Sequence, residues 1–436
     1  MNKKLLFIFV LAFLLRLIAL NQSIWLDEGT TAKAVMQYNY SEIITKFSPF
    51  DFHPPLFYLF MKFWTNIFGY SEIALRMPSV LFSVLTGYLV YLIGGLWAAV
   101  FFLFNPLIVY YSQEARMYMQ ATFLLACSLW FLIKMLQNQK SKLFLFNIFI
   151  ILAFLTFYGS IFLIIPMLLY LLFKKQYKLF LFSILYFLFS IFLISPLLYQ
   201  QFLHARESLQ TVLNWKSVLG ISSIKNLLLI PLKFSFGRIS FYPKWLYWAA
   251  SGIWSIFVWF LIIQGARKNR LFGYLLICPL VIGLLFSFFT PLLQYFRFLF
   301  LIPLMSILIA MGINTPVKRL TVVDGFIVLS FIYLFVPQFH REDWKSLAKN
   351  LSKNDQIYMI LSSADGLKYY NNKLVINELT HLLPPWRDTA RRGEIIVIPY
   401  TADIYGFNYK KILEENKFHL KQTDNFRGLT KEYWSR

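Results

Sequence analysis

Long apolar runs alternate with short polar connections over the first three quarters of the chain, and this alternation sets the expected fold. Runs of bilayer-spanning character fall near residues 5–22, 77–94, 96–111, 117–134, 143–157, 159–173, 179–197, 245–263, 271–290, 296–313 and 320–337. A helix needs ~20 residues to cross ~30 Å of hydrocarbon, so these runs predict a polytopic bundle of about eleven transmembrane helices. The apolar stretch Leu56–Gly69 is shorter and carries Lys62, which predicts an interfacial or re-entrant helix. From residue 338 the chain turns polar. Residues 356–361, 373–377 and 394–399 alternate as strands, and residues 343–350 and 409–415 as helices. The expected fold class is an all-α polytopic membrane bundle over 1–337, followed by a small C-terminal α/β extramembrane domain over 338–436.

Composition narrows the class. The chain is 58% hydrophobic, 20% aromatic and only 14% charged over 436 residues, with mean hydropathy +0.59. Soluble domains carry about a quarter charged residues, so a soluble enzyme is excluded. The net charge of +22 points to lipid headgroups rather than nucleic acid, because the basic residues sit in short loops between apolar runs. Those loops are Lys3-Lys4, Lys134/Lys140/Lys142, Lys174-Lys175/Lys178, Arg267-Lys268/Arg270 and Lys318-Arg319. By the positive-inside rule they are cytoplasmic, as is the N-terminus, and the C-terminal domain is extracytoplasmic. Arg16 interrupts the first run and no Ala-x-Ala site follows, so an uncleaved first span is expected, with Arg16 reaching the outer interface. Cys127 and Cys278 lie inside apolar runs, which argues against a disulfide or a metal cluster.

This topology gathers the remaining polar motifs on one side. The first external loop, 23–76, carries Trp25, Asp27-Glu28, Asp51-Phe52-His53-Pro54-Pro55 and, at its end, Arg76. The island Ser112-Gln113-Glu114-Ala115-Arg116-Met117-Tyr118 faces the same compartment, as do an external loop over 198–244 and Gln294-Tyr295-Phe296-Arg297. Carboxylates at the mouth of a membrane bundle are costly unless they do chemistry or hold a cation. Arginine's planar fork suits phosphate oxygens, and a carboxylate nearby suits proton removal from an attacking hydroxyl or amine. The bland readings are a capping Asp27, a solvated Glu28, a stiff His-Pro-Pro corner at His53, and snorkelling arginines at Arg116 and Arg297. Arg76 reads as an anchor for the second span.

Four motifs in order carry a resemblance: Trp25-x-Asp27-Glu28, Asp51-x-His53-Pro54-Pro55-Leu56, Gly69-x-Ser71-Glu72-x-Ala74-x-Arg76-x-Pro78-Ser79, and Ser112-Gln113-Glu114-Ala115-Arg116-x-Tyr118. The chain resembles the dolichyl-phosphate-mannose protein mannosyltransferases (glycosyltransferase family 39), and the bacterial branch that includes the lipid A aminoarabinose transferase is similar too. The match is clear over residues 1–175 and returns weakly at Gln294–Pro303 and Arg341-Glu342-Asp343-Trp344. The resemblance implies a GT-C-type glycosyltransferase of the plasma (inner) membrane. It would use a polyprenyl-phosphate sugar donor and act on an external lipid, glycan or protein acceptor. It places catalysis on Asp27, Glu28 and His53, and donor phosphate on Arg116, Arg297, Gln113 and Tyr118. Trp25, Glu114 and Arg76 would support the acceptor side and the loop. No cofactor is required; a divalent metal at the carboxylates is possible but not demanded. The protein mannosyltransferases often carry a Lys soon after His-Pro-Pro, whereas Leu56 and Phe57 stand here. A transporter or lipid flippase is the rival class; it would need charges deep within spans and an internal repeat.

Overall fold

The computed structural model describes residues 3–382 and 394–436. The membrane part is built from α1 (Lys3–Leu17), α2 (Leu26–Gln37), the single turn α3 (Tyr40–Glu42), α4 (Leu56–Phe68), α5 (Glu72–Leu103), α6 (Pro106–Ser112), α7 (Tyr118–Leu136), α8 (Leu143–Thr156), α9 (Ile161–Phe173), α10 (Tyr177–Thr211), α11 (Trp215–Leu219), α12 (Ile224–Phe236), α13 (Lys244–Lys268), α14 (Arg270–Ser287), α15 (Ile302–Gly312) and α16 (Pro316–Phe335). Seven helical segments among the described residues are long and apolar enough to cross a membrane, against the eleven expected. The shortfall has a physical pattern. α1, α8 and α9 hold only 15, 14 and 13 residues, and α16 carries Lys318, Arg319 and Asp324 within its first turns. One of the seven, Glu72–Leu103, is two arms rather than one rod. Gly95 sits at φ +79°, and a Cβ on Gly87 would meet Leu103 at 2.5 Å, so the chain folds back at Gly95 between the runs 77–94 and 96–111.

Two further differences concern the expected loops. Residues 198–244 are largely helical. α10 runs on to Thr211, about 52 Å in all, well past ~30 Å of hydrocarbon. Trp215–Phe236 is itself one of the seven apolar segments, broken at Gly220 into α11 and α12. Arg16 does not reach an interface either. It is fully buried and donates to Ser83 Oγ (2.8 Å), Ala12 O (2.8 Å) and Leu103 O (2.9 Å), so its charge is spent tying α1 to both arms of α5. α4 is the short amphipathic helix anticipated at Leu56–Gly69. Its 13 residues end at Gly69, and it buries Phe57, Tyr58, Met61 and Thr65 while Phe63, Ile67 and Phe68 face outward.

Close packing where lipid supplies no hydrophobic drive relies on small residues. α13 and α15 show it. A Cβ on Gly265 would lie 2.0 Å from Leu308 O, and one on Gly312 2.0 Å from Leu261 O, so only hydrogen fits at both crossings.

The C-terminal domain contains α17 (Trp344–Lys349), β1 (Ile357–Met359), α18 (Asp365–Tyr370), β2 (Ile376–Glu378), β3 (Glu394–Val397), α19 (Ala402–Tyr405), α20 (Tyr409–Glu415), β4 (His419–Phe426) and β5 (Leu429–Ser435). Its sheet has the order β2-β1-β3-β5-β4, parallel on the β1 side and antiparallel around β5. The three expected strands and two expected helices are present. The β4–β5 hairpin was not foreseen, because its strands are mostly polar on the outer edge and its turn hinges on Gly428 at φ +72°.

This domain is docked on α2. The Gly29 Cα faces the Gly366 backbone so closely that a Cβ would meet Gly366 N at 2.5 Å. Asp365 pairs with Lys33 (3.3 Å), the Ile24 amide donates to Tyr370 Oη (2.9 Å), and Lys345 Nζ pairs with Glu72 (2.9 Å).

Candidate active site

Asp27 and Glu28 are adjacent in the first turn of α2, and a helix places adjacent residues about 100° apart. That angle separates their environments. Glu28 points inward and is fully buried. Its Oε1 accepts from Arg76 Nε (2.8 Å) and the Ala115 amide (2.8 Å); its Oε2 accepts from Arg76 Nη2 (2.5 Å) and the Trp25 amide (3.2 Å). Arg76 also donates to Leu20 O, Gln22 O and Ser23 O, so the pair staples the end of α1, the start of α2 and the 113–117 turn to α5. Every favourable direction at this carboxylate is filled. The expectation of direct chemistry at Glu28 therefore meets a side chain built as an anchor, and Arg76, expected to anchor the second span, is its partner.

Asp27 is the opposite. Its side chain stays 37% exposed, with Oδ2 3.8 Å from Arg116 Nη2. Arg116 is 4% exposed and donates to Asp27 O (3.3 Å) and Tyr58 Oη (3.4 Å), while its Nε has no partner among the described residues. Tyr58 projects from the buried face of α4 between Arg116 and Asp51, and Asp51 Oδ2 lies 3.5 Å from His53 Nδ1. Burial pushes the Asp51 carboxyl up, but His53, Arg116 and Tyr58 outweigh it and hold it below its ordinary value. Burial lowers His53, and Asp51 offsets that only in part, so the imidazole stays neutral near neutral pH. Arg116 is raised: burial opposes its charge, and Tyr58, Asp27, Tyr118 and Asp51 together outweigh burial. The Pro-Pro corner after His53 is fixed from outside, since Gln201 on α10 donates to Ser48 O (2.8 Å) and His53 O (3.0 Å).

A second group closes the other side. Arg341, just past α16, lies 3.6 Å over the Trp25 ring and donates to Glu114 Oε1 through Nε (2.9 Å) and Nη2 (2.8 Å). Arg238 stacks on and donates to Tyr110. Tyr118 is ringed by Tyr111, Phe157 and Phe296 and stands between Arg116 and Arg297. Arg297 donates to Pro291 O (3.3 Å) and has no carboxylate partner among the described residues, so its charge is available near Tyr118.

Gln113 is the clear departure from expectation. Its amide donates to Arg16 O (2.9 Å) and Ile18 O (2.6 Å), and its oxygen accepts from Tyr333 (3.0 Å), which leaves it clamping α1 rather than offered to a phosphate. Asp51 was named in the sequence as part of the Asp51-x-His53 motif but given no role, and Tyr58 was passed over, since only burial singles it out. Arg238 and Tyr400 are brought in by the fold and have no local signature, whereas Arg341 and Glu342 fall in the weakly matching Arg341-Glu342-Asp343-Trp344 motif. Among the described residues, no group of His, Cys, Asp or Glu is placed to hold a metal.

Buried polar atoms without partners concentrate here: Trp25 Nε1, Asp51 Oδ2, His53 Nδ1, Glu114 Oε2, Arg116 Nε and Glu342 Oε2. Native interiors leave few such groups, so a convergence of them marks a place where something else binds.

A helical bundle with a polar mouth covered by a small α/β domain is the architecture of GT-C membrane glycosyltransferases, and the fold is of that type. The family described as dolichyl-phosphate-mannose-protein mannosyltransferase matches residues 52–199, in keeping with the resemblance in the motifs. Among solved structures, the chain is similar to ArnT from Cupriavidus metallidurans bound to undecaprenyl phosphate, at TM-score 0.58 and 12% identity, covering 99% of this chain and 98% of that one. The apo state of the same protein is similar as well, at TM-score 0.58 and 12% identity over 98% and 97% of the two chains. No curated protein matches the chain in sequence.

Proposed function

We propose that the protein is an integral membrane glycosyltransferase that moves a hexosyl or pentosyl group from a polyprenyl phosphate to an acceptor on the extracytoplasmic face. The observation that carries this reading is Asp27: a half-open carboxylate beside a buried, incompletely satisfied arginine, in a mouth crowded with orphaned polar atoms. The family match over residues 52–199 and the likeness to a protein solved with undecaprenyl phosphate support the donor class.

The acceptor oxygen attacks the anomeric carbon from the face opposite the phosphate. The carbon–oxygen bond to phosphate breaks, its electron pair leaves with the phosphate, and the acceptor proton passes to the Asp27 carboxylate. A single in-line displacement of this kind inverts the sugar carbon. Arg116, with a free Nε, faces the developing phosphate charge, and Arg297 adds a second cation beside Tyr118. A positioned base contributes roughly 10²–10⁴-fold, and preorganised cations act without reorganisation. Glu28 and Arg76 fix α2 so that Asp27 stands at the mouth, and His53 and Asp51 hold Tyr58 and Arg116 in register. Basic loops at the bundle's far end, where Lys268 caps Met311 O (2.8 Å) and Arg319 lies 5.5 Å over Trp97, orient that end towards the cytoplasm.

The test is transfer of radiolabelled sugar from purified polyprenyl-phosphate sugars to an envelope extract. Wild type should transfer label and Asp27→Asn should lose about a hundredfold or more. Equal transfer by both removes Asp27 from the mechanism; no transfer from any such donor by folded protein leaves transport as the better reading.

A further inference from the structure

The C-terminal domain does more than cover the mouth. Glu342, next to Arg341, accepts from Tyr400 through Oε1 (3.2 Å), while its Oε2 is buried without a partner. Tyr400 is held edge-on against the fully buried Trp344 (5.0 Å), which fixes its hydroxyl. The same phenol lies within electrostatic reach of Glu342, Asp27 and Arg341. Glu342 and Tyr400 are therefore tied to the same mouth as Asp27 through Arg341, which lies 3.6 Å over Trp25 and pairs with Glu114.

The chemistry of the orphaned atoms restricts what binds there. Glu342 Oε2 and Glu114 Oε2 only accept, and Trp25 Nε1 only donates. A phosphate, which only accepts, leaves the carboxylate oxygens bare and is repelled by them. An ammonium, which only donates, leaves the indole bare and meets the charge of Arg341. A hydroxyl does both at once, and a neighbouring set of hydroxyls does it repeatedly.

Resting on the transferase reading above, we propose that Glu342 and Tyr400 of the C-terminal domain, with Trp25 on α2, form the acceptor subsite, and that it takes a neutral polyhydroxylated (glycan) acceptor. Glu342 is a positioning residue: it orients the acceptor by one hydroxyl so that another meets Asp27.

Two measurements test this separately. First, saturation-transfer NMR with methyl glycosides on the full-length protein in detergent needs no turnover. Wild type should show transfer to the sugar protons, and Glu342→Gln and Tyr400→Phe should reduce it severalfold with thermal unfolding unchanged. Second, in the radiolabel assay with envelope extract, Glu342→Gln should raise the extract concentration for half-maximal transfer tenfold or more and leave donor KM within twofold. Neutral methyl glycosides should compete better than glucosamine or glucose phosphates. Methyl glycoside binding indifferent to both substitutions, a shift in donor KM instead of acceptor dependence, or stronger competition by the phosphates or the amine overturns the proposal. If no polyprenyl-phosphate sugar is turned over while methyl glycoside binding still depends on Glu342, the transferase reading fails and the glycan site stands.

Discussion

Glu28 and Asp27 are neighbours in sequence with opposite surroundings. Around Glu28 the molecule is closed: a buried arginine, two backbone amides and three backbone carbonyls satisfy one another completely. Around Asp27 it is open: the nearest cation is 3.8 Å away and several polar atoms lack partners. On the function proposed above, the closed network supplies the rigidity and the open one the chemistry, so two adjacent acids divide the work between mount and tool.

The sharpest way to break this contrast is Glu28→Ala. It strands Arg76 in the interior, which costs about 3–5 kcal/mol, so thermal unfolding in detergent should show a severely destabilised protein. Arg76→Ala should cost a similar amount, and the double variant clearly less than the sum. A mild effect at Glu28 would mean that the network does not hold the fold. Asp27→Asn should do the reverse, with transfer down about a hundredfold or more and stability within about 0.5 kcal/mol of wild type. Next in size is Gly29→Ala. Its new methyl meets the Gly366 backbone at 2.5 Å, so the overpacking should cost about 1–3 kcal/mol and lower transfer as the C-terminal domain is pushed off α2.

Smaller still is a pH effect at the open end. His53 binds its proton less readily in the folded protein than at the ordinary value of 6.5, because burial outweighs Asp51. The unfolded chain therefore takes up the proton first. The stability linked to His53 is fully present above about pH 6.5 and is lost as pH falls below it. The depressed Asp51 adds a further loss below its ordinary 3.8. His53→Gln should flatten the decline in melting temperature between about pH 6.5 and 5; an unchanged slope would place the titrating group elsewhere. Smallest is Lys33→Ala, which removes a half-exposed partner of Asp365 and should cost no more than about 1 kcal/mol.

Much of the site could be read in the sequence because the motifs are local. Asp27, His53 and Arg116 stand out as polar residues at the ends of apolar runs, and the structure brings them to one mouth. Glu28 and Gln113 carried the same signal and turned out to be committed internally, since hydropathy marks an unusual polar residue without saying whether its partner is a ligand or a backbone carbonyl. Arg341 and Glu342 carried only a weak motif just past the last apolar run, and Tyr400 was illegible because it reaches the mouth through a sheet whose strands are far apart in sequence. Span boundaries were the least legible where helices are short or interrupted: an apolar run records hydrophobicity, whereas Gly95 and Gly220 decide where the chain turns.

The order of strands has a consequence for how the protein is made. β5 follows β3 and β4 in sequence yet lies inside the sheet between them, and Glu394 pairs with Ser435. The sheet is therefore complete only once β5 has been made, so a nascent chain can hold its bundle in the bilayer while the domain beside α2 still lacks an inner strand.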